Sequence, residues 1–404
     1  MAGHDTKTRA REAFILELGR SLHIAGAPAN RLEEALEYVC DHFGLVGQFF
    51  STPTSLWAGF GTPQDQRVVL ARVPPGEVNL GRLVDLDELA GRVGRGEIGV
   101  NAGLRELQKI NNAPPTYPLW LMVVCFALAS ATAGVFFGGS MSDTLASLLV
   151  GGLVGVCAMV AGRFREIARL MDFLGGLVAG GVAVAFAHRD PTIDSYIVTI
   201  SGLIVLVPGL TLTLAVNELA TRHLVSGSAR VMHALTVFVS IGFGVALGWQ
   251  LTKLLSPAEG AHTPLPDWCI WPALSIAPLA FTVLFQVKPR HAGLVVAGGA
   301  LAFLGSRAGG QVLSPELGAS VGAFALGLLS NVQARRIRRP ALIVTVPGVI
   351  LLVPGSIGFR SFSELLEQDA TGGVTAAFSM IMVAVAISAG LLMAQLTFPS
   401  RQPL

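Results

Sequence analysis

The chain has 404 residues, of which 52% are hydrophobic and only 13% are charged, and its mean hydropathy is +0.62. Soluble domains carry about 25% charged residues, so the composition excludes an ordinary soluble protein and predicts an α-helical integral membrane protein. The formal net charge of +2 gives no reason to expect a nucleic-acid partner.

The N-terminal residues 1–115 carry a dense mixture of charges and are predicted to form a small α+β cytoplasmic domain. Apolar residues such as Phe14, Leu18 and Leu22 recur there at helical spacing. Two β-rich stretches separated by the turn-forming sequence GTPQD predict a hairpin. The predicted elements are helices at about 8–25 and 29–43, strands within 46–60 and 66–73, and helices at about 85–94 and 98–110.

From Tyr117 onward the chain consists of apolar segments of spanning length, roughly 17–25 residues each. Ten spans are predicted, five in residues 116–260 and five in residues 261–404. They lie at about 118–137, 142–162, 170–188, 196–220, 229–250, 268–287, 291–306, 316–334, 341–358 and 373–396.

The charges between these spans support the count. If both termini are cytoplasmic, the inner loops carry twelve Lys and Arg residues and the outer loops carry four. Such an excess on the inner side is expected of a correctly oriented bundle. The inner charges are Arg163, Arg165, Arg169, Arg222, Arg230, Lys288, Arg290, Arg335, Arg336, Arg338, Arg339 and Arg401, and the outer ones are Arg189, Lys253, Arg307 and Arg360.

The chain contains an internal repeat. Shifted by 146 residues, IVTISGLIVLVPG (197–209) falls on IVTVPGVILLVPG (343–355), with nine of thirteen positions identical. In the same register Glu218-Leu219 falls on Glu364-Leu365, and Gly227 falls on Gly373. Because each copy holds an odd number of spans, the second copy enters the membrane from the opposite face. The predicted fold is therefore a 5+5 inverted repeat of the kind found in secondary transporters.

Spans 4 and 9 each contain a proline–glycine break, and the two breaks are predicted to face each other. A broken helix creates a new N-terminus with free N–H groups, which attracts a carboxylate. A proline kink repaired by neighbouring helices is the alternative interpretation. The predicted substrate-binding residues are Pro208, Gly209, Leu210, Thr211, Thr213, Asn217, Pro354, Gly355, Ser356 and Gly358.

Four titratable residues within the spans are candidates for proton coupling or gating: Glu218, His233, Glu364 and Asp172. Each also has a structural interpretation. Glu218 could pair with Arg222 at helical spacing, Glu364 could be an interfacial carboxylate, His233 could bond a neighbouring helix, and Asp172 could form a salt bridge.

Three further polar side chains carry two interpretations each. Asn217 and Asn331 could bind a zwitterion or hold helices together by hydrogen bonds. Arg230 could clamp a carboxylate near the cytoplasmic entrance or anchor the helix end at the lipid headgroups.

No motif of an ATP-driven pump or of a zinc protease is found. The sequence lacks a Walker A motif and HExxH, and its four cysteines are isolated. We therefore predict no catalytic residue, no metal and no cofactor, and the chain is not expected to be an enzyme.

Several motifs resemble the threonine/serine exporter (ThrE-like) family. They include LVPG in span 4, the following N-E-L (217–219) and S-G-x-A-R (226–230), the second LVPG in span 9, and GLRELQKINNAPPTYP (103–118) before span 1. The resemblance covers nearly the whole chain. It implies a bacterial inner-membrane exporter of small hydroxylated amino acids, a proton-coupled antiporter that works by alternating access.

The predicted partners are accordingly an amino-acid substrate, protons and membrane lipid, with a homo-oligomer left open. One alternative keeps transport but changes the solute to a small dicarboxylate such as succinate, which some relatives with split halves are linked to. A more distant alternative is a membrane-embedded enzyme acting through the N-terminal domain, whose own role the sequence leaves between regulation, gating and self-association.

Overall fold

The structure is a computed structural model that describes residues 2–62, 64–252, 263–337, 340–352, 354–366 and 369–399. Four of the loop charges counted above, Lys253, Arg338, Arg339 and Arg401, lie outside these ranges. The described chain is mostly helical and comprises an N-terminal region (residues 2–111) and a helical region (residues 119–397).

The N-terminal region combines four helices with one antiparallel sheet. Its elements are α1 (Ala2–Ile24), α2 (Ala29–His42), β1 (Gly47–Thr52), β2 (Ser55–Phe60), β3 (Arg67–Arg72), α3 (Leu80–Gly94) and α4 (Val100–Asn111). The hairpin expected around GTPQD joins β2 to β3, and a second, tighter hairpin divides the stretch 46–60 between β1 and β2. The two residues between the paired Thr52 and Ser55 are Pro53 and Thr54, and a proline at this point cannot continue the strand ladder.

One face of this sheet is covered and the other is open. Phe14, Leu18 and Leu36 of the first two helices pack with Leu56 of β2, and all four side chains are fully buried. Helix α1 is amphipathic: its buried residues Phe14, Leu18 and Leu22 recur every four positions and so lie on the face that packs into this core. On the opposite sheet face, Phe50, Trp57 and Leu70 are exposed neighbours across the three strands.

The helical region contains nine helices that are long and apolar enough to cross a membrane, within the part of the chain that the structure describes. Its elements are α5 (Leu119–Phe136), α6 (Met141–Ala161), α7 (Arg165–Ala168), α8 (Met171–Arg189), α9 (Ser195–Leu203), α10 (Gly209–Ala220), α11 (Leu224–Leu251), α12 (Ile270–Leu284), α13 (Ala292–Val312), α14 (Pro315–Ile337), α15 (Leu342–Ile350), α16 (Pro354–Leu366) and α17 (Ala370–Thr397). This is a multi-pass membrane protein. Two predicted spans are divided, span 4 into α9 and α10 and span 9 into α15 and α16. The count is nine instead of the predicted ten because α15–α16 qualifies as one spanning segment, Leu342–Leu365, whereas α9–α10 does not.

The two broken segments, α9–α10 and α15–α16, lie side by side and run antiparallel. Tyr196 at the start of α9 lies beside Phe359 of α16, with ring centroids 6.2 Å apart and the rings tilted by 37°. In the middle the two breaks meet, since a methyl group placed on Gly355 would lie 3.3 Å from Gly209 Cα. At the other end, Asn217 of α10 and Leu342 of α15 line the same cavity.

Three local contacts recur when the chain is shifted by 146 residues. The first is a close helix approach: a methyl group on Gly227 would lie 2.7 Å from Leu219 Cγ, and one on Gly373 would lie 2.5 Å from Leu365 Cγ. The second is a backbone bond, His223 N to Glu218 O at 2.8 Å and Asp369 N to Glu364 O at 2.9 Å. The third is a threonine hydroxyl bond, made by Thr199 to Ser195 O and by Thr345 to Ala341 O.

The N-terminal region docks against one end of the helical region, here called the docked face. The amide of Leu80 at the start of α3 donates to Phe285 O at 3.0 Å, and Asp85 pairs with Lys288. Val287, Ile343 and Val346 are buried in the same hydrophobic cluster as Phe14 and Leu83. The two regions therefore share a continuous apolar core.

We expect Gly81→Ala to weaken this docking. A methyl group at Gly81 collides with the carbonyl oxygen of Gln286, and backbone atoms cannot rotate away as a side chain does, so overpacking should cost about 1–3 kcal/mol. Denaturant unfolding of the purified protein in detergent, with limited proteolysis of residues 112–118, measures the change. The control is Gly94→Ala at the end of the same helix, where the nearest atom would lie 3.7 Å away; equal stability of the two variants would contradict the prediction.

Candidate functional site

A largely apolar cavity that also has several polar side chains in its walls lies between the docked face and the paired breaks. Its volume is about 70 Å³, roughly five times the space that the centre of one water molecule needs. Four helices of the helical region and the first turn of α2 form its walls. The lining residues are Pro28, Asn30, Arg31, Leu210, Thr213, Leu214, Asn217, Gly327, Ser330, Asn331, Ala341, Leu342, Thr345, Val346, Val349, Leu391 and Gln395.

The break in predicted span 4 places α10 against this cavity. Pro208 has no N–H to donate, so the helix of α9 cannot continue through it. A new helix, α10, begins at Gly209. From there Leu210, Thr213 and Asn217 follow at three- and four-residue spacing, so they lie on one helix face. That face is the cavity wall.

Three of the lining residues carry hydroxyl groups. Each hydroxyl carries a single proton, and each proton is used within its own helix: Thr213 donates to Gly209 O at 3.1 Å, Ser330 to Gly327 O at 2.9 Å and Thr345 to Ala341 O at 3.0 Å. A hydroxyl keeps two acceptor sites once its proton is committed. We call these three residues the acceptor wall, because they suit a ligand that donates hydrogen bonds.

Hydrogen-bond donors lie at the α2 end of the cavity. Pro28 precedes α2 and makes no side-chain cap, and the first amides of any helix lack an acceptor within it. The amide of Ala29 finds one in Glu218 Oε1, at 2.9 Å. The guanidinium of Arg31 adds further donors, although one of its nitrogens also pairs with the exposed Glu34 at 3.0 Å.

Glu218 is a fully buried carboxylate beside the cavity. Besides the amide of Ala29, it accepts hydrogen bonds from Ser226 Oγ at 2.7 Å and from Arg230 Nε at 3.0 Å. A buried charge is costly unless it is paired and hydrogen-bonded, and both conditions are met here. The carboxylate thus joins α10, α11 and the N-terminal region.

A tight turn brings these groups together. Arg222 has a φ of 67°, which reverses the chain after α10, and the amide of His223 donates to Glu218 O. Ser226 and Arg230 then lie one helical turn apart on α11, facing α10. The alternative in which Glu218 pairs with Arg222 is not what the described residues show: Glu218 pairs with Arg230, because the helix ends at Ala220 before Arg222 can occupy the next turn.

Two family models together match most of the chain. One is described as "Putative threonine/serine exporter" and matches residues 13–252. The other is described as "Threonine/Serine exporter, ThrE" and matches residues 273–397. The chain belongs to the threonine/serine exporter family. Glu218 belongs to the family-like N-E-L motif and Arg230 to the S-G-x-A-R motif, so their ion pair joins these two segments.

Curated relatives include "Pheromone-regulated membrane protein 10" of Yarrowia lipolytica, 25% identical over 88% of this chain and 30% of the relative. The protein of the same name from Eremothecium gossypii is 26% identical over 95% of this chain and 54% of the relative. An uncharacterized protein of Schizosaccharomyces pombe is 24% identical over 96% of this chain and 53% of the relative. The chain thus spans about a third to a half of the length of these relatives. No solved structure matches it.

The predicted substrate residues of this exporter-family chain fall into three groups. Leu210, Thr213 and Asn217 line the cavity, whereas Thr211 lies on α10 outside the lining. Gly209 and Gly355 contact each other at the crossing of the breaks. The remaining positions belong to the break itself or to α16: Pro208 precedes α10, Pro354 begins α16, Ser356 is half-buried, and Gly358 packs against Phe238 and Met380.

The other three titratable candidates lie away from the cavity lining. Glu364 pairs with Arg360 at 2.8 Å one turn earlier in α16. Asp172 is half-buried in the first turn of α8, and His233 on α11 is close enough to attract its carboxylate. Of the four candidates, only Glu218 is next to a cavity residue.

Asn30, Arg31, Ser330 and Thr345 also line the cavity, and sequence reasoning did not assign any of them to the site. The sequence offered a reason to consider Thr345, because it is repeated as Thr199 at the same position of the quoted motif. Asn30 and Arg31 follow a proline at the start of a predicted helix, but nothing local indicates what that helix end contacts. No group of three or more metal-ligating side chains occurs in the described ranges.

Two ionisable groups of the N-terminal region are buried where it meets the helical region. Burial is the main cause that lowers the pKa of His23 from its ordinary 6.5, and the nearby Arg230 cation lowers it further. The neutral imidazole donates from Nε2 to Thr52 O at 2.8 Å. Burial also raises the pKa of Glu33, which contacts His223 at 3.3 Å.

We expect His23 to make the protein less stable in mild acid. A histidine whose folded pKa is lowered contributes stability above its unfolded value of 6.5, and that stability is lost as the pH falls through the folded pKa. Thermal unfolding between about pH 7.5 and about pH 5.5 should therefore show a smaller acid loss in His23→Gln than in the wild type. The control is His42→Gln, which changes an exposed histidine of the same region. Parallel pH profiles for wild type and His23→Gln would refute the assignment.

Proposed function

We propose that the protein is a secondary exporter of small hydroxylated amino acids, threonine or serine, and that the cavity is its substrate site. The family supplies transport as the class of activity. One observation carries the solute assignment: the acceptor wall of Thr213, Ser330 and Thr345 has no hydroxyl proton left to give.

That wall favours a zwitterion over a dicarboxylate. An α-amino acid with a side-chain hydroxyl brings an ammonium group and an O–H, both of which donate hydrogen bonds. Succinate brings only acceptors, so its second carboxylate would find no hydroxyl proton on the acceptor wall and would depend on the side-chain amides of Asn217, Asn331 and Gln395. The donors at the α2 end serve a single carboxylate, which an amino acid also has.

The paired breaks support a mechanism of alternating access. The antiparallel course of α9–α10 and α15–α16 and the three contacts repeated after 146 residues support an inverted repeat, counted as ten spans if each broken segment crosses once. In such architectures one repeat rocks against the other around a site near the midplane. The docked face is then cytoplasmic, as the loop charges predict.

Glu218 is the group we assign to proton coupling. Its carboxylate holds Arg230 and the amide of Ala29 at once, and Ala29 is next to the cavity residues of α2. Protonation would replace a charged acceptor by a neutral group, which weakens both bonds. The cavity wall built by α2 would thereby be released whenever a proton binds.

Reconstituted proteoliposomes test the assignment. We expect a pH gradient to drive labelled threonine across the membrane, and we expect Glu218→Gln, which imitates the protonated carboxylate, to make the flux independent of the gradient. Glu364→Gln is the matched control at the repeat counterpart and should keep the dependence. Gradient-dependent flux in Glu218→Gln would remove Glu218 as the coupling group, and succinate flux without threonine flux would reassign the solute.

The acceptor wall yields a separate prediction. Thr345→Val keeps the shape of the side chain and removes the oxygen, so threonine binding should weaken by about 1 kcal/mol, or roughly fivefold. The control is Thr236→Val, an exposed threonine on α11 that makes the same type of intrahelical bond. Calorimetric titration of both variants with threonine measures the difference; equal affinities would show that the wall does not contact the solute.

A further inference from the structure

We infer that the N-terminal region forms part of the substrate site: the first turn of α2, through Asn30 and Arg31, binds the carboxylate and ammonium groups of the α-amino acid. This inference rests on the proposed function. It gives the N-terminal region a role in recognition, since the cavity would lack one wall without it.

The donors of this turn are aimed at an anion. Helix geometry leaves the amides of residues 29, 30 and 31 without acceptors inside α2, and Pro28 offers no capping side chain. The amide of Ala29 already holds a carboxylate, that of Glu218, so this helix end binds such a group in the structure itself. Asn30 and Arg31 line the cavity, which leaves the next two amides and the guanidinium for the carboxylate of a solute.

Asn30 supplies the second, independent observation. Its side chain is only 8% exposed, and its Oδ1 has no hydrogen-bond partner. Leaving a buried acceptor unsatisfied costs about 1–3 kcal/mol, and an ammonium group in the cavity would satisfy it. Because Asn30 is a lining residue, the unpaired oxygen belongs to the same space as the donors of the turn.

The combination matches the head group of an α-amino acid. In such a molecule the carboxylate and the ammonium are attached to one carbon atom, so their partners must be close neighbours, as Asn30 and Arg31 are. The side-chain hydroxyl of the solute then points toward the acceptor wall on α10, α14 and α15. Head group and side chain are thus recognised by different parts of the chain, and Glu218 fixes the two parts relative to each other.

The test compares ligands that differ only in the head group. Purified full-length protein in detergent is titrated by calorimetry with threonine, threonine amide and succinate. The wild type is expected to prefer threonine to its amide, because the amide lacks the carboxylate charge. Arg31→Gln should weaken threonine binding about 10-fold or more and remove most of the preference over the amide, and Arg31→Lys should restore part of it. Asn30→Ala should weaken both amine ligands without changing the preference.

Arg20→Gln is the matched control, since Arg20 is a solvent-exposed arginine of α1, and thermal unfolding checks that each variant is folded. A merely structural role of Arg31 would change stability and leave the threonine-to-amide ratio as it is. An unchanged ratio in a folded Arg31→Gln therefore overturns the inference while the proposed function stands. A third outcome is that the wild type binds succinate and neither amine ligand, and that Arg31→Gln abolishes this binding. That result would support a carboxylate site at α2 and refute the assignment of an amino acid as the solute. A wild type that binds none of the three ligands overturns both proposals.

Discussion

The buried carboxylate of Glu218 is the interaction on which the arrangement of the site depends. Its oxygens accept from Ala29 of the N-terminal region and from Ser226 and Arg230 of α11. Without the charge, the guanidinium of Arg230 would be left without its carboxylate partner and the first turn of α2 would lose its anchor. Since Asn217 and Asn30 lie directly beside these groups and line the cavity, the shape of the cavity follows from the pairing of one carboxylate.

The cavity lies where polar groups interrupt the apolar contact between the two regions. The N-terminal region and the docked face share an apolar core that includes Val287, Ile343 and Val346, and such cores pack to near-crystalline density. Where α2 begins, polar side chains and unpaired amides replace this packing. The hydrogen-bond donors and acceptors of these groups can be hydrated there.

Local chemistry made much of the fold predictable, and long-range contacts account for the rest. Proline and glycine act on their own helix turn, so the breaks after Val207 and before Gly355 could be read from the sequence. The pairing of Glu218 with Arg230 could not be read from the sequence. The helical spacing that suggested Arg222 assumes a continuous helix, but α10 ends at Ala220. Asn30 and Arg31 escaped notice for a similar reason: the residues they approach are nearly two hundred positions away, on α10. Sequence patterns report periodicity along one element, whereas a site shared by two regions depends on how the elements dock.

The two copies of the repeat are also less alike than their shared motifs suggest. Glu218 and Glu364 occupy equivalent positions, yet the first is fully buried and joined to another helix and to α2, and the second pairs with the partly exposed Arg360 of its own helix. The counterparts of Ser226 and Arg230 are Gly372 and Ala376, which cannot hold a carboxylate. An inverted repeat with identical halves would give its two access states equal energies. In the described residues the N-terminal region contacts the docked face, so its bond to Glu218 has no counterpart at Glu364. Under the alternating access proposed above, the two access states would therefore differ in energy, and the bonds of Glu218 would contribute to that difference.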